Sequence, residues 1–217
     1  MSKKDLTSFE DPVNLLLRAI KKLHSLWLTW TYPFISVGAR FSVHYSCDIR
    51  RAIAGYIQVG DDVLIGRGGR VDVPEVLQKN GPVIVLDNFC RLGPHVTILA
   101  VNNIHIERNV ILGPSVLVTD HDHAFDNVAV PIVHQGITKG GTIRIEEGCW
   151  IGSGVAIVCS RGELVIGRNS VVAVNSVVTR SVPAYSVVAG NPARIVKQFD
   201  ASKESWVMGP SGLKELG

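Results

Sequence analysis

Charge is scarce in this 217-residue chain, at 19%, and aromatic side chains are scarcer still, at 6%. A net charge of +3 is too small to point to a nucleic-acid surface. The four cysteines show no C-x-x-C or comparable ligand spacing, so neither a metal ribbon nor a disulfide framework is expected from them. A reduced, cytoplasmic protein is the expectation. The N-terminal MSKKDLTSFEDPVN carries lysines but no apolar stretch of the kind a secretory leader needs. The longest apolar run, Leu26 to Gly38, contains Thr and Pro and is too short to span a bilayer. What is plentiful is a 46% apolar fraction rich in Val and Ile, together with 21 glycines. That balance excludes disorder and suits one β-rich, turn-rich domain with short appendages.

The apolar residues are ordered by a period of six. Stepping by six gives Val37, Val43, Ile49; Val59, Ile65, Val71; Leu86, Leu92, Ile98; Ile106, Leu112, Val118; Ile145, Ile151, Ile157; and Ile166, Val172, Val178. All 18 positions hold a branched aliphatic residue, and within a set the step never slips. Glycine follows at seven of them, Gly38, Gly60, Gly66, Gly93, Gly113, Gly152 and Gly167, and the fifth hexad position is small or compact. A short strand plus a corner consumes about six residues, so three hexads close a triangular coil. Coils then stack through parallel backbone hydrogen bonds about 4.8 Å apart. The expected fold is an all-β solenoid of about six coils. An ordinary parallel α/β sheet would need helices between its strands, and none interrupts the hexads. Three cysteines, Cys47, Cys90 and Cys149, fall at the fifth hexad position and are expected as compact core side chains.

Function is expected in the interruptions, because a solenoid carries its insertions outside. The steps between sets are 10, 15, 8, 27 and 9 residues. The outlier, Val118 to Ile145, contains TDHDHAFDNVAVPIVHQGITKGG. His121 leaves the end of a coil directly and is thereby held by rigid scaffold, as a general base must be. His123 is the reserve, and Asp120, Asp122 and Asp126 stand ready to orient an imidazole or meet a substrate. Before the first coil, residues 8–31 suggest a helix, capped by Ser8 or Asp11, with Leu16, Ile20, Leu23, Trp27 and Trp30 on one face. The favoured role is a lid over the open solenoid end; contact with a membrane surface, through neighbouring Lys3, Lys4, Arg18, Lys21 and Lys22, is the other. The expected divisions are a helical cap at 1–36, a solenoid at 37–198 with its loop at 119–144, and a tail at 199–217 anchored only by Trp206.

These hexads, with DHDHAFDNVAVPIVHQG and GCWIGSGVAI, resemble the hexapeptide-repeat acyltransferases, over roughly Val37 to Lys197. Pro131, Ile132, Gln135 and Gly136 match the P-I-x-x-Q-G segment of the branch that O-acetylates sugars and cell-surface glycans. The resemblance implies a left-handed β-helix, a departure from the usual right-handed crossover, assembled as a homotrimer with acetyl-CoA between subunits. It implies His121 as general base acting on a sugar or glycan-precursor hydroxyl, with no metal. Carried over, Trp150, Gly152 and Ala173 line the pantetheine arm, with Thr179 and Arg180 next, and Asn191, Pro192 and Arg194 at the nucleotide end. Trp150, Asp120 and Asp122 also stand near the acceptor, and an amide near Gly152 is a candidate oxyanion donor. His95 stands where relatives carry a substrate-binding asparagine, as a substrate contact or a corner residue. Ala173 and Asn175 depart from the usual pattern, and Arg161–Glu163 lengthen a corner. Two alternatives remain: a zinc lyase similar to the γ-class carbonic anhydrases, and a trimeric scaffold without catalysis. No H-x-x-x-x-H occurs for the first.

Overall fold

The structure, a computed structural model, describes residues 12–75 and 81–209. The proposed caps Ser8 and Asp11, and Lys3 and Lys4, lie outside the described residues. One helix, Pro12–Thr31, precedes short strands arranged on three faces. Each face stacks six parallel strands in the order that the hexads dictate, and the second face continues further. Every one of the 18 hexad aliphatics lies on its own strand, paired with its counterpart in the neighbouring strand. Val37, Val59, Leu86, Ile106, Ile145 and Ile166 form one column. Val43, Ile65, Leu92, Leu112, Ile151 and Val172 form the second. Ile49, Val71, Ile98, Val118, Ile157 and Val178 form the third. All but Val37, at the end of its stack, are buried. The core is thus three columns of branched aliphatics, and burial of each contributes roughly 1.5–3 kcal/mol.

The hexad glycines serve a purpose the period alone does not reveal. None of the seven takes a positive φ. The left-handed residue comes two positions later, as in Arg40, Asp62, His95, Ser115 and Asn169. The glycines are needed instead for close approach of stacked backbones: a Cβ on Gly113 would stand 2.8 Å from Ser153 N, and one on Gly152 2.8 Å from Val174 N. Gly113→Ala is therefore expected to cost about 1–3 kcal/mol through overpacking, read as a lowered denaturation midpoint with an unchanged slope. Asn175 is explained by the same geometry. It occupies a left-handed corner at φ 56°, a conformation that Asn tolerates well.

The compact fifth positions are core, as expected. Cys90 and Cys149 are buried, and Cys47 partly so. Burial pushes the Cys90 thiol up to about 12 and the Cys149 thiol up to about 11, so both are inert as nucleophiles.

Both ends of the solenoid differ from expectation. Ser25 Oγ of the helix accepts a hydrogen bond from Val43 N–H at 3.0 Å, satisfying a backbone donor of the first coil, and donates to the Lys21 carbonyl at 2.8 Å. Leu28 is buried beside it. These two residues do the closing. The face of Leu16, Ile20, Leu23, Trp27 and Trp30, expected to form the lid's underside, is turned outward and exposed, because the one row that meets the prism is centred on Ser25 and Leu28. At the other end, the supposed loose tail is a strand pair. Arg194–Asp200 and Ser205–Met208 add antiparallel strands to the second face, so a boundary at 198/199 would cut through a strand. Trp206 is not its only anchor: Phe199 packs between Tyr185 and Trp206, at ring-centroid distances of 6.5 and 5.7 Å.

Candidate active site

The third face delivers the chain to the long insertion. Thr119 ends a strand, and Asp120 and His121 follow at the edge between the third and first faces. Asp120 has no solvent exposure at all. Its carboxylate accepts hydrogen bonds from three consecutive backbone N–H groups of the neighbouring coil. Val101 N donates to Oδ1 at 2.9 Å, and Asn102 N and Asn103 N each donate to Oδ2 at 2.9 Å. The remaining position on Oδ1 meets His121 Nδ1 at 3.1 Å. A buried carboxylate with several charge-assisted bonds is rigidly placed. With Nδ1–H donating to Asp120, the lone pair of His121 lies on Nε2, which has no hydrogen-bonding partner among the described residues. The imidazole is mostly covered, at 11% side-chain exposure, yet its free nitrogen is the one able to take a proton.

The insertion is ordered from root to tip. Gly141 N donates to Asp120 O, Thr138 N to Asp122 O and Ala124 N to Gly136 O, forming a two-stranded ribbon. Asp122 N donates in turn to Thr138 Oγ1. Gln135 closes the tip: its Nε2 donates to the carbonyls of Asn127 and Val130, and its Oε1 accepts from Asn127 N. The P-I-x-x-Q-G residues thus fold the arm, with Ile132–His134 forming a single 3-10 turn. Phe125, Val128 and Ile132 remain exposed on it.

The sequence-derived set separates into three groups. His121 and Asp120 form a pair; the Asp120 carboxylate, expected from the sequence near the acceptor, is fully buried and bonded to backbone amides. Asp122 is half-buried within the ribbon and His123 is exposed beside it, bridged to Ile137. His95 stands at another edge, between the second and third faces, exposed and in the left-handed conformation above Gly68. It is not brought to His121 within the chain.

The second group sits on the second face and its edge with the third. Trp150 is exposed on its strand, between Ile111 and Val171 in register. Gly152 is buried and Ala173 half-buried in the adjoining corner. Gly152 N–H is spent on the Val172 carbonyl at 2.8 Å, so that amide is not available as an oxyanion donor. The third group shares the edge that holds His121. Thr179, Arg180 and Arg194 line one cleft of about 260 Å³ with Ser181 and Ala193. Asn191 and Pro192 are exposed just before it, joined by a cis peptide bond. Among the described residues no group of three or more His, Cys, Asp or Glu side chains is arranged to hold a metal ion, and nothing favours the zinc-lyase alternative. The seat of Asp120, the backbone of Val101–Asn103, leaves no side-chain signature in the sequence beyond the paired asparagines at that corner.

No family model matches the chain. Among curated proteins, it is 27% identical over 170 residues to the putative lipopolysaccharide biosynthesis O-acetyl transferase WbbJ of Escherichia coli, covering 76% of this chain and 82% of that one. Other curated acetyltransferases are matched over only 39–62% of their own length. Among solved structures, the hexapeptide-repeat acetyltransferase VCA0836 of Vibrio cholerae, complexed with acetyl-CoA, superposes with a TM-score of 0.50 at 22% identity, covering 88% of this chain and 91% of that one. The chain shares the fold of that hexapeptide-repeat acetyltransferase and is similar in sequence to the curated O-acetyl transferase. The N-acyltransferase AntD of Bacillus cereus, in complex with dTDP and coenzyme A, shares the fold more closely, with a TM-score of 0.63 at 16% identity over 92% of this chain and 94% of that one. The three-faced solenoid is thus a shared architecture, and the residues of this chain must supply the rest.

Proposed function

We propose that this chain is an acetyl-CoA-dependent acetyltransferase that moves an acetyl group to a hydroxyl of a sugar or glycan precursor. The Asp120–His121 pair carries the proposal: a histidine fixed in one tautomer, on rigid scaffold, at the root of an ordered arm. His121 Nε2 takes the hydroxyl proton as the oxygen attacks the thioester carbonyl. The tetrahedral intermediate collapses with loss of the coenzyme A thiolate, and the imidazolium returns the proton to sulfur. The kinship with WbbJ supports oxygen as the acceptor atom.

The cleft between Thr179, Arg180 and Arg194 fits the phosphates of coenzyme A, since two exposed guanidinium groups flank it. Trp150, Gly152 and Ala173 lie on a different side of the prism from His121. Apposing the edge of one copy to the second face of another would complete the site, which supports a homotrimer of left-handed, six-coil solenoids with three equivalent centres. The corresponding division of the chain is a helical cap, the solenoid with its arm, and the strand pair that ends it; the expected location is the cytoplasm.

Acetyl-CoA is expected to raise the melting temperature on the order of 5–10 °C at a hundredfold excess over Kd. No shift at millimolar concentration would remove the proposal. Arg194→Ala should raise KM for acetyl-CoA about tenfold or more with kcat unchanged, as loss of a charge-assisted phosphate bond requires. Thiol release measured across a panel of sugars and nucleotide-sugars identifies the acceptor.

A further inference from the structure

The outward face of the helix Pro12–Thr31 is left largely uncovered by the described residues, Tyr32 meeting Trp27 edge-on at a ring-centroid distance of 5.6 Å. Leu16, Leu23, Leu26, Trp27 and Trp30 are all exposed, Trp30 at 94%. At 100° per residue these side chains share one continuous arc, on the side of the helix away from Ser25 and Leu28. Large contiguous apolar surface on a soluble chain marks a place where something docks.

Its charge identifies the occupant. The helix contains Arg18, Lys21 and Lys22 and no acidic residue. Lys22 adjoins the apolar arc, and Arg18 and Lys21 follow it round toward the prism. There the three, with Arg40 of the first coil, line a groove of about 690 Å³ between helix and solenoid. A self-associating helix ordinarily carries charges of both signs along its seam; this one carries a single sign. An apolar arc with tryptophans, bordered on one side by Lys22 with Arg18 beyond it and on a helix without acidic residues, matches the boundary between acyl chains and anionic headgroups. The helix is not long and apolar enough to cross a membrane, and at about 30 Å it is long enough to lie along one.

We propose that this helix docks the protein onto an anionic lipid bilayer, its axis parallel to the surface, with Trp27 and Trp30 below the headgroups and Lys22, at the border of the apolar arc, level with the lipid phosphates. The inference is independent of the acetyl-transfer reading. Acetyl-CoA binding and transfer to a soluble acceptor, measured without lipid, stay unchanged in variants of the helix face.

The test is co-sedimentation of the full chain with phosphatidylcholine vesicles, with and without phosphatidylglycerol. The chain should partition onto the anionic vesicles and leave them at high salt. Trp27→Ser with Trp30→Ser should weaken partitioning at least about tenfold. Lys22→Gln should weaken it on the order of fivefold for anionic vesicles alone. Unchanged circular dichroism establishes that the variants fold. As a readout needing no variant, brominated lipid should quench indole fluorescence of the unaltered chain. Absence of binding to either vesicle, equal binding to both, or absence of quenching would overturn the proposal. So would a fall in assembly size on Trp27→Ser/Trp30→Ser without loss of vesicle binding, which would assign the face to a second copy of this chain.

Discussion

His121→Ala is expected to lower acetyl transfer by about 10²–10⁴-fold while leaving the affinity for acetyl-CoA unchanged. The two observables separate because the imidazole lies at the root of the arm, whereas Arg180 and Arg194 lie further along the same edge. Steady-state rates with the identified acceptor, set beside thermal stabilisation by acetyl-CoA, make the comparison. Full activity in the variant would move the base to His123 or dismiss base catalysis by this loop. Equal loss of activity and of acetyl-CoA binding would mean that His121 holds the donor and does not move a proton.

Asp120→Asn should be nearly as damaging, for a reason that hydrogen-bond counting supplies. An asparagine has one carbonyl oxygen where the carboxylate has two. Turned so that its NH₂ met Asn102 N and Asn103 N, it would set donors against two buried backbone donors. The less costly orientation keeps the oxygen toward those amides and places NH₂ against His121 Nδ1. That reverses the tautomer, puts the ring proton on Nε2, and removes the acceptor that the reaction needs. A loss in kcat on the order of 10²–10⁴-fold is expected, with KM for acetyl-CoA preserved and no recovery on raising pH. The ring-nitrogen NMR shifts of His121 would report the reversal directly. Asp120→Ala differs in kind. It leaves three amide donors at the Val101–Asn103 corner without their acceptor, at about 1–3 kcal/mol each, and is expected to lose stability before activity can be compared. A variant Asp120→Asn with unchanged kcat would reduce Asp120 to a structural tie between coils.

The solenoid was legible because its repeat is a packing rule written once per strand. Each of the 18 aliphatics points inward and meets its own kind in the next coil, so period and register are one fact. The glycines beside them were legible as a pattern but not in purpose: spacing alone does not separate a left-handed corner from a backbone that must approach another. The ends were harder to read. Leu16, Leu23 and Trp30 share a face in any helix, but whether that face meets the prism depends on Ser25 finding Val43 N–H, a contact between residues 18 positions apart. Arg194–Asp200 carries no hexad, and its place follows from antiparallel pairing with Ser186–Ala189, which the six-residue period does not encode. At the site, His121 was legible from its position at the end of a set. Asp120 was legible as a neighbour of the imidazole, but its seat was not, because the partners are backbone amides and leave no mark in the side-chain sequence.

The stacked columns have a consequence for how such a site can change over evolutionary time. Along the edge shared by His121 and Thr179, position is set by strand number, so the separation of base and phosphate-binding arginines can alter only in whole increments of about 4.8 Å. Gradual adjustment of that distance is closed to the fold. Adding or deleting one turn would carry the base past a donor of fixed length in a single jump, and the hexads on either side would pack as before. A chain of this kind would be expected to tune its acceptor through the arm, where residues can be exchanged one at a time, and to keep the number of turns between His121 and Arg194 constant.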